Sequence, residues 1–443
     1  MSPGPMDVCR PAARSATGPA VSSIAAPVAS ATASPPTSPV TSPSTAGGAG
    51  PASWHDAWHD ARRVLCVRLD SLGDVLMCTP ALRALRQALP GRRLTLLTSP
   101  SGIAAAESIP ELDAALAFAA PWMKHPHAAS PELLHALAAQ LAGRDFDGAV
   151  IFTSYSQSPL PAAMLCHLAG IPLRLASCRE NPYTLLTHWV PEPERERATR
   201  HEVRRQLDLV AAIGCTAADT RLSFTVAPHA RRGLDARLAA AGIDGGQPLL
   251  VLHPGASAPS RRYPARLWPA LLRELAMRLD TAGMPCQLLL TGDAGEAAGI
   301  AAMIADANAG APQPGTGIHS LAGRLTLPEL AALLQRARLV VANNTGPAHI
   351  AAAVGTPVVS LYALTNPQHR PWRVAQRLLF HPVACRGCLR SVCPEGHHAC
   401  LAGLAPETIA DAVLDLLGAA PQRPAYTADA ADAAQDPALV FTD

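Results

Sequence analysis

Val64-Leu65-Cys66-Val67-Arg68-Leu69 is an apolar run of strand length that passes through Asp70-Ser71-Leu72-Gly73-Asp74 into the amphipathic stretch VLMCTPALRALRQAL. Strand, tight glycine-bearing loop and helix, in that order, open a doubly wound α/β unit. Leu94–Leu97 follows Pro90-Gly91 as a second strand, and the βαβ rhythm predicts a parallel sheet with right-handed crossovers. Ala149–Phe152 and Leu173–Ala176 extend it. The rhythm then restarts. Leu249–His253 reads as a strand, Ala265–Leu279 as a helix, Gln287–Leu290 as a strand ending in Thr-Gly-Asp, Leu339–Ala342 as a strand before another glycine turn, and Val358–Leu361 as the last strand. Two consecutive halves of this kind predict an α/β protein of two Rossmann-like domains whose parallel sheets face an interdomain cleft, where such folds bind ligands.

The length of 443 residues agrees, because it exceeds what one hydrophobic core usually serves. With 49% hydrophobic and 16% charged residues, the chain can bury a substantial core. Residues 1–60 are rich in Pro, Ser, Thr, Ala and Gly, carry few large apolar side chains and are expected to form a disordered extension. Residues 61–230 then form the N-terminal domain, 231–420 the C-terminal domain with a cysteine cluster, and 421–443 a disordered tail.

A net charge of +2 without long Lys/Arg runs gives no nucleic-acid footprint. The first residues lack the apolar core of a signal peptide, and no uninterrupted apolar stretch is long enough to span a bilayer. The expected address is the cytoplasm, with at most peripheral contact at the inner face of the inner membrane. Eleven cysteines in a reducing compartment are expected to be mostly small buried hydrophobes.

Four loops follow predicted strands, the usual seat of function in open α/β sheets. In the first, Gly73 permits a sharp turn and Asp74 starts the next helix, either as a helix cap or as a carboxylate that takes the proton of an attacking hydroxyl. In the second, Gly255 allows close approach of an anion, Ser257 offers a hydroxyl, and Arg261 and Arg262 supply forked cationic donors for a diphosphate. A pair of arginines also fits a solvated face. In the third, Glu296 either complements a helix dipole or accepts from a ribose hydroxyl. The fourth, Asn343-Asn344-Thr345-Gly346-Pro347-Ala348-His349, sets Pro at the first helical position and exposes N–H groups of a helix N-terminus, an anion-binding arrangement. His349 follows within the first turn, as a ligand contact or as a packed polar residue.

Cys385, Cys388, Cys393 and Cys400, with His397 and His398 between them, form the densest Cys/His cluster. A C-x2-C pair and two further thiols have the donors for structural zinc or for iron, and a reduced cluster without metal is the equal alternative.

Together RLDSLGDVLMCTPALRALR, LHPGASAPSRRYP, TGDAGE and NNTGPAHIAAAVGTPVVSLYALTNP resemble, in this order, the signature of glycosyltransferase family 9, whose members include heptosyltransferases I and II. The resemblance runs from about residue 62 to 418. It implies a GT-B fold, an ADP-heptose donor held by the C-terminal domain, and a glycolipid acceptor of the lipopolysaccharide core held mainly by the N-terminal one. By the same resemblance Asp74 is the general base, Ser257 contacts phosphate, and Arg261 stands where many members carry Lys to stabilise the departing diphosphate. Glu296 approaches the ribose, and Thr345, Gly346 and His349 hold diphosphate and sugar. The implied reaction is direct, inverting displacement with no cofactor required for catalysis. Cysteine-bearing tails occur in the family, and protein-modifying relatives carry a metal there. One position departs: many members have Asp where this chain has Asn344, which can hydrogen-bond a hydroxyl without charge. A relative using another nucleotide sugar or a protein acceptor, and a catalytically silent nucleotide-sugar scaffold, are the competing readings.

Overall fold

The computed structural model describes residues 52–124, 130–192, 200–309, 315–363, 367–385, 387–419 and 440–441. The first half runs α1 (Ala52–His59), β1 (Arg63–Arg68), α2 (Leu72–Ala88), β2 (Arg93–Thr98), β3 (Ala114–Ala117), α3 (Pro131–Ala142), β4 (Gly148–Ile151), α4 (Leu160–Leu168), β5 (Leu173–Cys178), β6 (His188–Pro191) and α5 (Glu202–Ala211). The second runs α6 (Pro228–Ala240), β7 (Leu249–His253), α7 (Trp268–Thr281), β8 (Gln287–Leu290), α8 (Ala297–Asn308), β9 (Ile318–Ser320), α9 (Leu327–Arg336), β10 (Leu339–Asn343), α10 (Gly346–Val354), β11 (Val358–Leu361), β12 (Gln376–Phe380), α11 (Ala399–Ala402), α12 (Pro406–Ala419) and β13 (Val440–Phe441).

The strands form two sheets, β3-β2-β1-β4-β5-β6 and β13-β12-β11-β10-β7-β8-β9, paired parallel throughout. Each order reverses direction in the middle, between β1 and β4 in one sheet and between β7 and β10 in the other. Such switch points open a crevice at the carboxyl ends of the strands, so the loops after β1, β4, β7 and β10 are the ones placed to bind a ligand. The middle strands are near-continuous apolar runs because helices cover both faces: all but the first residue of β1 is buried, as is all of β10.

Helix α2 carries Pro80 in its interior, where the ring removes the N–H that would bond the Leu76 carbonyl. The Thr79 hydroxyl donates to that carbonyl instead, at 2.7 Å. The helix therefore continues through the proline and carries its N-terminal turn, residues 72–74, up to the end of β1.

Several boundaries differ from the sequence expectation. The body begins before residue 61: Trp58 of α1 is 1% exposed and packs over Gly148, where an added Cβ would lie 2.7 Å from the indole. Trp58, with the partly buried Trp54, packs this short helix onto the core of the first half. Of the expected tail, Val440–Phe441 pairs with β12 as an edge strand, and residues 421–439, 442 and 443 lie outside the described residues, as do 1–51. Helix α6 packs on α9 through Arg237–Glu329 and Arg336–Asp235 ion pairs, so we place the boundary between the halves just before Pro228. The halves are also tied behind the crevice, where Trp372 Nε1 donates to the Thr220 carbonyl and the His201 ring, 4.4 Å from that of Trp372, contacts the Arg370 carbonyl at 2.9 Å.

Candidate active site

Arg68 ends β1 and is fully buried. Its Nη1 donates to Glu202 Oε1 at 3.0 Å, its Nη2 to Asp74 Oδ1 at 3.2 Å, and its Nε lies 2.8 Å from Asp70 Oδ2. Glu202 belongs to α5 and is itself held by Gln206 and Arg205. Burial would raise the Asp74 carboxyl, yet Arg68, His369 and the Ser71 hydroxyl outweigh it and hold Asp74 below the ordinary carboxylate range. Glu202 is depressed as well, by His369 at 3.8 Å and by the Arg68 and Arg205 charges acting against burial. Asp70 moves the other way: burial, Asp74 and Glu202 push it up against Arg68 and Gln157. Two carboxylates on one guanidinium thus separate in acidity, as paired catalytic carboxylates do.

Asp74 fulfils both readings of its position. Its Oδ2 accepts from the Ser71 N–H at 3.2 Å and from the Ser71 hydroxyl at 2.7 Å, the capping arrangement of α2. The same carboxylate borders a cavity of about 840 Å³ shared by both halves. From the N-terminal half the lining includes Asp70, Trp122, Lys124, Tyr155 and Gln157; from the C-terminal half it includes Ser257, Arg261, Asn344, Thr345, Gly346 and His349. Lys124 is the only lysine in the sequence.

Thr345 is the N-cap of α10 and Gly346 its first residue, so the helix starts one residue before the expected proline and Pro347 stands second. The positive end of this helix faces the cavity, opposite the N-terminus of α2. His349 reaches across: a Cβ on Gly73 would lie 2.7 Å from its Cδ2. Burial, then His369 and Arg261, lower the His349 imidazole to about 4 against the pull of Asp74, so it is neutral at pH 7. Its Nδ1, like the Nδ2 of Asn344, is buried and has no hydrogen-bond partner among the described residues. Arg261 carries a guanidinium that forms no ion pair among the described residues. A cation, a helix N-terminus and two unmatched polar atoms converge on one space, which suits an anionic, hydroxyl-rich ligand.

Asn343, buried, locks these loops in register: its Oδ1 accepts from Tyr263 N at 3.0 Å and its Nδ2 donates to the Pro254 carbonyl at 2.5 Å. His253 Nδ1 meets Thr291 Oγ1 at 3.0 Å and joins the loops after β7 and β8.

Not every expected site residue enters the cavity. Gly255, Arg262 and Glu296 line a separate space of about 470 Å³ with Arg266, His397 and His398. Arg262 Nε donates to the Ala256 carbonyl at 2.6 Å, a structural tie, which leaves Arg261 as the cationic donor toward the main cavity. Glu296 accepts from Asp293 N at 3.0 Å, supporting its helix-start reading, and fits against Gly255, where an added Cβ would collide with its carboxylate.

Cys66, Cys78, Cys166, Cys178, Cys215 and Cys286 are buried free thiols, as expected of small hydrophobes. Cys385, Cys388, Cys393 and Cys400 are half-exposed. Burial raises the Cys400 thiol, and the neighbouring Cys393, Cys385 and Cys388 add to the rise. Cys385 Sγ lies 3.8 Å from His397 Nε2. The donor types suit zinc or iron, but among the described residues no three His, Cys, Asp or Glu side chains converge as a metal site requires. The arrangement therefore does not fit the expected metal, and no chemistry is routed through it.

Sequence reasoning missed Arg68, Asp70, Gln157, Glu202 and His369. Gln157 follows β4, so knowing the strand order would have flagged its loop. Glu202 lies 134 residues from Arg68, and nothing local marks it.

Two parallel sheets that face one cavity through their switch-point loops are the GT-B fold of sugar-transferring enzymes. Residues 134–399 match the family model of glycosyltransferase family 9 (heptosyltransferase), and the chain belongs to that family and is a glycosyltransferase. It is 48% identical over 56 residues to lipopolysaccharide heptosyltransferase 3 of Escherichia coli, a match that spans 13% of this chain and only 16% of that protein. To lipopolysaccharide heptosyltransferase 1 of Pseudomonas aeruginosa it is 29% identical over 342 residues, 75% of this chain and 87% of that one. The solved structure of the E. coli ADP-heptose lipopolysaccharide heptosyltransferase II superposes with a TM-score of 0.61 at 20% identity, covering 80% of this chain and 98% of that one.

Proposed function

We propose that the chain transfers a heptose from ADP-heptose to a lipopolysaccharide-core acceptor with inversion at the anomeric carbon. One observation carries the reading: Asp74 and the N-terminus of α10 border a single cavity from opposite halves, with Arg261 beside them. The acceptor hydroxyl gives its proton to Asp74 as its oxygen attacks the anomeric carbon. The bond from that carbon to the diphosphate breaks, and its electron pair leaves with the nucleoside diphosphate. Asp74, held below the ordinary carboxylate range by Arg68 and Ser71, is ionised and aimed before substrate arrives. Arg261, Ser257 and the first turn of α10 stabilise the growing charge on the diphosphate, and His349 and Asn344 offer their unmatched atoms to diphosphate and sugar. Glu296 serves the ribose only if the donor extends toward the loop after β8.

Asn344 favours a second reading, in which the donor carries another sugar or the acceptor is a protein hydroxyl, because an uncharged side chain borders the cavity where many members of the family have Asp. Among the described residues no helix is long and apolar enough to cross a membrane. We place the enzyme at the cytoplasmic face of the inner membrane, where a glycolipid acceptor is reached by peripheral contact.

Donor screening tests this. Thermal stabilisation and slow donor hydrolysis selective for ADP-heptose over UDP- and GDP-sugars is the expected result. Response to another donor moves the function to that sugar, and response to none refutes sugar transfer.

A further inference from the structure

Asp70 lies just past β1 and borders the same cavity as Asp74, with 15% of its side chain exposed. Its hydrogen bonding is sparse. The Gln157 amide donates to Oδ1, while the Arg68 Nε near Oδ2 directs no hydrogen bond to any partner. A carboxylate has about four acceptor positions. Asp74 fills three of them, from Arg68 and from the N–H and hydroxyl of Ser71. Asp70 fills one with a directed bond. A mostly buried carboxylate with unused positions is costly until a donor arrives, and Asp70 is open to one from the cavity that it borders.

The ligand space next to it has the same unfinished character. Asn344 and His349 are each 4% exposed, border this cavity, and hold a polar atom with no partner among the described residues. Asp70 and Asp74 contact neighbouring nitrogens of one guanidinium and so present themselves side by side.

We propose that Asp70, aimed by Gln157, accepts a hydrogen bond from a second acceptor hydroxyl adjacent to the attacking one, so that the site selects acceptors bearing a vicinal diol. This rests on the sugar-transfer reading and adds the acceptor class to it. Gln157 is in turn fixed by its Oε1, which accepts from Ser154 N at 2.9 Å. The acceptor side of the cavity is thereby built from both loops of the first sheet's switch point.

The test uses the full chain, ADP-heptose, a deacylated lipopolysaccharide-core oligosaccharide, and a matching oligosaccharide in which the neighbouring hydroxyl is replaced by hydrogen. Absence of transfer by the wild type from any nucleotide sugar would overturn the sugar-transfer reading itself. With an active wild type, Asp70→Asn is expected to lose about tenfold to a hundredfold in kcat/KM for the hydroxylated acceptor, carried by the acceptor KM, with the donor KM within about twofold. Against the deoxy acceptor, variant and wild type become alike. Gln157→Leu gives the same pattern at smaller size and stands in if Asp70→Asn does not fold. An unchanged acceptor KM overturns the proposal. So does a loss confined to kcat with a shifted pH profile, which would show Asp70 acting only through Arg68 and Asp74.

Discussion

The His349 imidazole rests against the α-carbon of Gly73, so closely that a Cβ there would lie 2.7 Å from His349 Cδ2. Here the N-terminal turn of α2 meets the N-terminal turn of α10, and glycine is needed for contact across the halves. Gly73→Ala is expected to push the ring away from Asp74 and lower kcat/KM at least about tenfold, since small misplacements of reacting groups are costly. Steady-state kinetics beside a melting curve checks this; a variant with native activity would show the contact to be incidental.

Arg68 neutralises Asp70 and Asp74 at the cavity and Glu202 behind them, which is buried. Removing it leaves Glu202, 1% exposed, without its strongest cation on the β1 side. Arg68→Met is expected to destabilise the protein by about 3–5 kcal/mol, the scale for breaking a buried ion pair from one side. Urea unfolding monitored by intrinsic fluorescence measures it, and a loss under about 1 kcal/mol, the scale of an exposed ion pair, would contradict the network.

Acid should destabilise the fold through histidines. Burial lowers His201 to about 3, and His253 and His349 to about 4, from 6.5. The unfolded chain therefore binds more protons than the folded one between 6.5 and those values, so stability is full above pH 6.5 and falls as pH drops toward 4. Asp70, raised on folding, opposes this in part. His201 has the clearest cause: its Nδ1 accepts from Val203 N at 3.1 Å as the N-cap of α5, and protonation removes that acceptor. Melting temperature against pH is expected to decline below 6.5, less steeply in His201→Asn; a flat profile down to pH 4.5 would contradict it.

Trp58 anchors the first helix in the space left by Gly148. Trp58→Ala is expected to cost about 3–5 kcal/mol, as for other buried aromatic truncations. Chemical denaturation reads this directly, and a change within about 0.5 kcal/mol, typical of surface positions, would mean that α1 is not part of the folded body.

The sheets were legible because strands buried on both faces write themselves as apolar runs, as Leu249–His253 and Leu339–Asn343 do. The edge strand β3, Ala-Ala-Leu-Ala, and the three-residue β9 lack that signal and take their form from their neighbours. In the site, Asp74, Ser257, Arg261, Thr345, Gly346 and His349 were legible because each sits in the loop that follows a strand or in the first turn of the helix after it. Arg68 read as part of its strand, and its role depends on Glu202, which only the fold brings near. Arg262 and Glu296 looked equivalent to their neighbours in sequence, and only the direction of their side chains separates them from the main cavity.

The central claim is that Asp74 takes the acceptor's proton in a cavity that holds an ADP-heptose donor. The most direct measurement is release of ADP from ADP-heptose in the presence of a lipopolysaccharide-core acceptor, for wild type and Asp74→Asn, alongside donor-induced thermal stabilisation. The variant is expected to keep the stabilisation and to lose about a hundredfold or more in kcat, the usual contribution of a positioned base. Full turnover by Asp74→Asn would contradict the account.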